Sequence, residues 1–370
     1  MQLPVQLHIE AIVPYPPGKP MDELEREYGV TNAIKLASNE NPWGPSPRAV
    51  KAIAGMLGSL HRYPDGASYA LTQAVARWIG AQADEIVLGN GSNEVIEFLV
   101  KAFVATGDAV ITSHPSFLMY QKFVQVRGGD NIVIPLREMR HDLAAIAAAV
   151  TDRTRLIFID NPNNPTGTLI EREAFDSFLR GLPQSVIVVV DEAYVDFVEP
   201  ARRIDILGYI NRPEGIPAVV SLRTFSKAFG LAGLRVGFGV MHRQVADLLH
   251  RVRQPFNINL VAQAGALAAL DDVEHYEHTL RATREGMAWL HRELEALGCR
   301  PYPSHTNFFL IDVRGDATRL FEAMLYKGVI VRSMKAYGYP DFIRITVGTD
   351  EENRRFVAAL AECVKDLGYV

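Results

Sequence analysis

Seven short apolar runs punctuate the chain between residues 85 and 241, at 86–88, 109–112, 132–134, 156–159, 186–190, 218–221 and 236–240. Most are continuously apolar and do not alternate, the pattern of strands buried on both faces in a sheet covered by helices. The pattern predicts an α/β unit with a mostly parallel central sheet. Polar or glycine-containing segments follow four of the runs: Gly89-Asn90-Gly91-Ser92, residues 161–167, Asp191-Glu192-Ala193-Tyr194 and residues 223–227. Ligands of open α/β sheets sit outside the strand ends, so these four loops mark one candidate site.

Beyond residue 258 the pattern changes. An alanine-rich helix is expected over 258–270, and a long charged amphipathic helix over 274–297, stopped by Gly298. Three β-like runs follow at 307–313, 329–332 and 342–347, with helical stretches at 316–326 and 350–366. This is a smaller α+β unit of its own. The first forty residues hold Pro14, Pro16, Pro17, Gly18 and Pro20, too many breakers for a domain, and are expected to form an arm against the C-terminal unit. The expected division is therefore an arm at 1–40, a large domain at 41–265 and a small domain at 266–370.

Composition narrows the class. A chain of 370 residues, 48% of them hydrophobic, can bury one large core and a second, smaller one. The net charge of -5 argues against nucleic acid as a partner. Cys299 and Cys363 are too few for a disulfide framework and lack metal-ligand spacing, so no metal is expected. The N-terminus shows no basic start followed by an apolar run, and no stretch nears the ~20 apolar residues of a membrane span. A cytoplasmic protein without a membrane partner is expected.

Four segments carry candidate chemistry. Asp191 follows a five-residue apolar run, which poises its carboxylate at a strand end. A metal-holding acid of a nucleotide enzyme would look similar but requires a phosphate loop ending in Gly-Lys-Ser/Thr. The chain's Gly18-Lys19 pair is followed by Pro20, which breaks that motif. Gly89 to Glu94 lies between a strand and a helix, where glycines and free N–H groups attract a phosphate. It lacks the third glycine of a dinucleotide fingerprint, so one phosphate fits better than two. The loop Asn161-Pro162-Asn163-Asn164-Pro165-Thr166-Gly167 is stiffened by prolines and offers uncharged donors. Lys227, flanked by small and apolar residues, is poorly solvated, which favours the neutral amine that attacks aldehydes. Thr224, Ser226 and Arg235 nearby suit a phosphate.

Together these segments resemble the fold-type I pyridoxal-phosphate aminotransferases, and within them the histidinol-phosphate aminotransferase family. The resemblance starts at Val13-Pro14-Tyr15-Pro16-Pro17-Gly18-Lys19-Pro20 and passes through Ser38-Asn39-Glu40-Asn41-Pro42 and Arg62-Tyr63-Pro64-Asp65. It ends at Ile343-Arg344-Ile345-Thr346-Val347-Gly348-Thr349, covering nearly the whole chain. The fold it implies is a large domain with a mostly parallel sheet sandwiched by helices, plus a smaller α+β domain.

It also implies roles. Lys227 would hold the aldehyde of pyridoxal 5'-phosphate as a Schiff base and later shuttle the substrate proton. Asp191 would pair with the pyridine nitrogen, and Tyr194 and Asn164 would bond the phenolic oxygen. The phosphate would rest on Gly91, Ser92, Thr224, Ser226 and Arg235. Tyr63 would reach that phosphate from a partner subunit, implying a homodimer with shared active sites. Phe117 occupies the place of the aromatic that stacks on the cofactor ring, where the family more often has tyrosine; stacking survives, but any bond from that hydroxyl is lost. Arg344 would grip the α-carboxylate, while Arg332 and Tyr15 would receive a distal phosphate, or the distal carboxylate of glutamate in the other half-reaction.

The small-molecule partners implied are L-histidinol phosphate as amino donor and 2-oxoglutarate as 2-oxo acid acceptor, in histidine biosynthesis. An aromatic amino-acid aminotransferase, a decarboxylase of a phosphorylated amino acid and the effector domain of a regulator are the alternatives. Arg332 favours an anionic distal group over an aromatic one. A regulator would carry a DNA-binding module, and none is expected ahead of the arm.

Overall fold

The structure, a computed structural model, describes residues 4–14, 21–211 and 215–369. The expected runs form seven strands: β1 Ile86–Gly89, β2 Ala109–His114, β3 Asp130–Pro135, β4 Thr154–Asp160, β5 Ile187–Asp191, β6 Ala218–Thr224 and β7 Gly237–Met241. Their order across the sheet is β1-β7-β6-β5-β4-β2-β3. β7 runs antiparallel to both β1 and β6, and the remaining pairs are parallel.

Continuous apolar runs fit this sheet because alternate side chains feed two different cores. On one face Leu156, Phe158 and Val189 pack with Phe98, Leu99 and Tyr120. On the other, Ile157, Ile159, Val188 and Val190 pack with Phe175, Phe178 and Leu179. The run at 132–134 differs: it forms the edge strand β3, whose residues are exposed or half-buried. An edge has neighbours on one side only, so helices cover it less completely.

The second sheet has four strands, which we label β8 Arg300–Pro301, β9 Phe308–Asp312, β10 Arg332–Ser333 and β11 Phe342–Thr346. Their order is β10-β11-β9-β8, antiparallel throughout. The expected strand at 329–332 is in fact two pieces. Val329–Ile330 pairs in parallel with Ile34–Lys35, and only Arg332–Ser333 joins the four-stranded sheet. Helices Ala317–Tyr326 and Asp350–Leu367 cover this sheet, the latter started by a capping box of Thr349 and Glu352.

The chain does not change cores at residue 266. Leu260–Leu270 is apolar except at Gln263, and its Ala262, Ala266, Ala269 and Leu270 pack with Leu71, Val75 and Phe229 beside the large sheet. The following helix, Val273–Ala296, makes the crossing. Its Tyr276 packs against the large-sheet cluster, whereas Leu290 and Leu294 sit in the small-sheet core.

The N-terminal arm also divides. Leu24 and Ala37 pack with Leu325 and Ile330 of the small unit. Residues 7–13 lie instead beside helix Met119–Val126, where Lys122 Nζ donates to the Val13 carbonyl at 2.6 Å.

Candidate active site

The C-terminal ends of β4, β5 and β6 lie side by side, with Asp160 in register with Asp191 and Asp191 in register with Leu222. A cavity opens above them, lined by Lys227, Asp191, Tyr194, Asn164, Phe117, Ser92, Thr224, Ser226 and Arg235 among others. Nine of the residues singled out from sequence therefore meet in one place.

Asp191 is the last residue of β5 and is buried. Tyr120 Oη donates to its Oδ2 at 2.8 Å, and the Ala193 N–H donates to its Oδ1 at 3.0 Å. Burial pushes its carboxyl up to about 7, although the Tyr120 bond pulls it down. An acid in this state is stabilised as an anion by any cation placed beside it.

Lys227 follows β6, and its Nζ donates to the Ser38 carbonyl at 3.4 Å, 5.6 Å from the Tyr194 ring centre. Burial, and then the nearby charge of Arg344, hold its ammonium down at about 8. A substantial neutral fraction near physiological pH is what a nucleophilic lysine needs. Tyr194 Oη accepts from Asn39 Nδ2 at 2.9 Å, and burial pushes the phenol up to about 12, so it remains a donor.

One end of the cavity is built for an anion. Helix Ser92–Phe103 begins there, so its first N–H groups lack partners inside the helix. Gly91 at φ 79 makes the turn, and a Cβ there would collide with the Arg235 guanidinium. Gly237 is equally required, since a Cβ on it would strike the Ser92 amide. Arg235 Nη1 donates to Ser226 Oγ at 3.3 Å, and the Ser226 N–H donates to Thr224 Oγ1 at 3.1 Å. Backbone amides, two hydroxyls and a guanidinium thus converge, a donor set that matches a phosphate group.

Arg344, on β11, is buried with its guanidinium 5.0 Å from the Phe308 ring centre; it lies outside the cavity lining and touches it through Asn164, to whose Oδ1 its Nη1 donates at 2.6 Å. Arg332 stands directly opposite it on β10. Arg332 is half-buried and lies outside the lining of the cavity. Tyr63 also stands away from this cavity: it is 82% exposed and stacks on Phe256 at 4.8 Å. Tyr15 lies outside the described residues. Phe117 lines the cavity and meets Tyr120 edge to face at 5.4 Å.

Tyr120, Asn39 and Asp160 join the site without a role foreseen from the sequence. Tyr120 sits three residues after Phe117, and a fully buried tyrosine needs a partner for its hydroxyl; that spacing was the available signal. Asn39 lies within the noted 38–42 segment but finds Tyr194 only through folding. Among the described residues no group of acidic, histidine or cysteine side chains could hold a metal ion, and no helix is long and apolar enough to cross a membrane.

The chain is similar to known proteins along its whole length. The chain is 62% identical over 370 residues to a histidinol-phosphate aminotransferase of Desulfotalea psychrophila, covering 100% of this chain and 98% of that one. It is 46% identical over 354 residues to a histidinol-phosphate aminotransferase of Moorella thermoacetica, covering 96% and 91%. The crystal structure of histidinol-phosphate aminotransferase from Sinorhizobium meliloti in complex with pyridoxal-5'-phosphate superposes with a TM-score of 0.90, at 28% identity and 99% of both chains. The model of the family Aminotransferase class I and II matches residues 31–360, and the chain belongs to that family.

Proposed function

We propose that this protein is a pyridoxal-phosphate-dependent aminotransferase that moves the amino group of L-histidinol phosphate to 2-oxoglutarate, leaving imidazole acetol phosphate and glutamate. The observation that carries the proposal is the meeting of Lys227, Asp191 and the anion cradle around Ser92 and Arg235 in one cavity. The names of the relatives, one at 62% identity, point to the same substrate.

The cavity fits the cofactor. Gly91, Ser92, Thr224, Ser226 and Arg235 would hold its phosphate, Asp191 its ring nitrogen, Tyr194 and Asn164 its phenolic oxygen, and Phe117 one ring face. When bound, it supplies an electron sink for cleavage of a bond at the substrate Cα. Asp191 then has the cationic neighbour that its burial calls for, which returns it to the carboxylate form. Lys227 Nζ would take the proton from the substrate Cα and return it. Its depressed basicity leaves it free to accept and return that proton near neutral pH.

Substrate choice follows from the two arginines. Arg332 and Arg344 stand directly opposite on adjacent strands, so their two positive charges together favour an anion placed between or above them. The phosphate of histidinol phosphate supplies two negative charges, and 2-oxoglutarate supplies two carboxylates. Planar guanidinium groups grip either one by paired bonds. The resemblance gives Tyr15 the same anion-binding role as Arg332.

The proposal extends to a homodimer in the cytoplasm. Tyr63, Leu57, Leu60, Tyr69 and Phe256 expose large apolar side chains, and a second copy would cover them. Tyr63 would then meet the partner's phosphate cradle. The test of function is a donor panel of histidinol phosphate, phenylalanine, tyrosine and threonine phosphate with 2-oxoglutarate. Histidinol phosphate should give the highest kcat/KM; phenylalanine far ahead of it would overturn the assignment.

A further inference from the structure

At the floor of the cavity lies a buried polar cluster, centred on the lining residue Asp160, that the chemistry above leaves unused. Asp160 closes β4 and is 4% exposed. Its Oδ1 accepts from Ser116 Oγ at 2.7 Å and from Asn163 Nδ2 at 3.1 Å, and lies 3.1 Å from His141 Nε2. Its Oδ2 accepts the Asn164 N–H at 2.8 Å. His141 Nε2 also faces the Asp160 carbonyl at 3.0 Å, while Nδ1 meets Ser113 Oγ at 2.7 Å. Nε2 thus faces two oxygens, the arrangement that suits a donor, with Asn163 Nδ2 3.4 Å away.

One carboxylate therefore ties down two loops. Ser116 immediately precedes Phe117, which faces the cavity. Asn164 offers its own Oδ1 to Arg344 at 2.6 Å. Displacing Asp160 would loosen the ring-facing aromatic and the asparagine against which the substrate-side arginine is braced. A carboxylate buried with this many donors is strongly ordered, and removing one donor or acceptor leaves the others poorly matched.

We infer that Asp160, held by His141, is a positioning residue that sets Asn164 and Phe117, and through Asn164 the orientation of Arg344 toward the anionic end of the substrate. This inference rests on the aminotransferase assignment above. Neither side chain needs to touch the reacting atoms. Asp160 is suited to the task because it accepts on both oxygens, which an amide cannot do.

The test uses the cofactor-loaded full chain and three variants, Asp160→Asn, His141→Ala and His141→Gln. Glutamine can return an amide donor near the place of imidazole Nε2. KM for both amino donor and 2-oxoglutarate should rise about tenfold in Asp160→Asn and His141→Ala, with kcat falling less, the scale of one charge-assisted hydrogen bond. His141→Gln should recover most of that loss.

A second measurement does not depend on turnover. The dissociation constant of succinate, an unreactive dicarboxylate, is read from the change it causes in the visible absorption of the loaded protein. It should weaken about tenfold in the same two variants and recover in His141→Gln. Unchanged succinate binding in folded, loaded Asp160→Asn and His141→Ala would overturn the inference. So would a His141→Gln variant no better than His141→Ala, since that pattern marks packing and not hydrogen bonding. Failure of the wild type to accept histidinol phosphate would instead count against the substrate assignment, and the succinate constants would still decide the role of Asp160.

Discussion

Arg344 Nη1 donates to Asn164 Oδ1 at 2.6 Å, joining the middle of the small sheet to the loop that follows β4 of the large one. Its Nη2 donates to the Ala37 carbonyl at 2.8 Å, so the guanidinium is held at two points before any substrate arrives. Lysine has one ammonium and no planar fork, and cannot keep both contacts and a carboxylate. Arg344→Lys is expected to lower kcat/KM for glutamate about a hundredfold, ~2.7 kcal/mol. Steady-state kinetics check this, and a loss below threefold would remove the proposed grip.

Lys227→Ala should fold, yet lose both the visible absorption that depends on a lysine-bound cofactor and all measurable transamination. Absorption spectra and a coupled glutamate assay test the two consequences separately. Activity near the wild-type level would remove the central residue of the proposed mechanism.

Arg332 stands opposite Arg344, both outside the cavity lining, and is proposed to meet an anionic group of the substrate. Arg332→Ala is expected to raise KM for histidinol phosphate about tenfold while changing KM for phenylalanine by less than about twofold. Equal losses for both donors would contradict its assignment to the distal anion.

Asp191 links the site to stability. Burial raises its carboxyl from the ordinary 3.8 to about 7, so the folded protein holds this proton more tightly than the unfolded chain. The resulting stabilisation is complete below the unfolded value and is lost as pH rises through the folded one. Asp191→Asn has no such titration. In cofactor-free protein, the stability of the variant relative to wild type should therefore climb between pH 4 and 7, by on the order of 4 kcal/mol. Denaturant titrations at several pH values measure this; a flat difference would show that Asp191 is solvated. With cofactor present the same variant should lose turnover by at least about a hundredfold.

Tyr63→Phe keeps the ring that stacks on Phe256 and removes only the hydroxyl. If that hydroxyl bonds the phosphate in a partner subunit, the cofactor dissociation constant should rise about tenfold with the dimer intact. Sedimentation together with cofactor release distinguishes this outcome from a purely packing role, for which affinity would not change.

The apolar runs were enough to place the strands because a strand buried on both faces admits little except Val, Ile, Leu and Phe. They said nothing about which strand forms the edge, so 132–134 looked like its buried neighbours. Likewise 329–332 read as one strand, although its halves pair with different partners. Position 266 looked like a boundary because composition changes nearby, yet the chain leaves the large core only within Val273–Ala296.

Lys227, Asp191 and Asn164 were legible because reactive side chains at strand ends and in the loops after them stand out against an apolar background, whereas Arg344, in the middle of β11, was named only through the resemblance. Local sequence determines where such residues sit along each element, and hence that Asp191 ends a strand and that Ser92 opens a helix. Pairing across the fold depends on distances between segments far apart in the chain. Tyr120 with Asp191, Asn39 with Tyr194, and Asp160 with His141 and Asn164 were settled by register and packing alone. Single hydrogen bonds leave no periodic trace in a sequence, whereas burial repeated over many residues does.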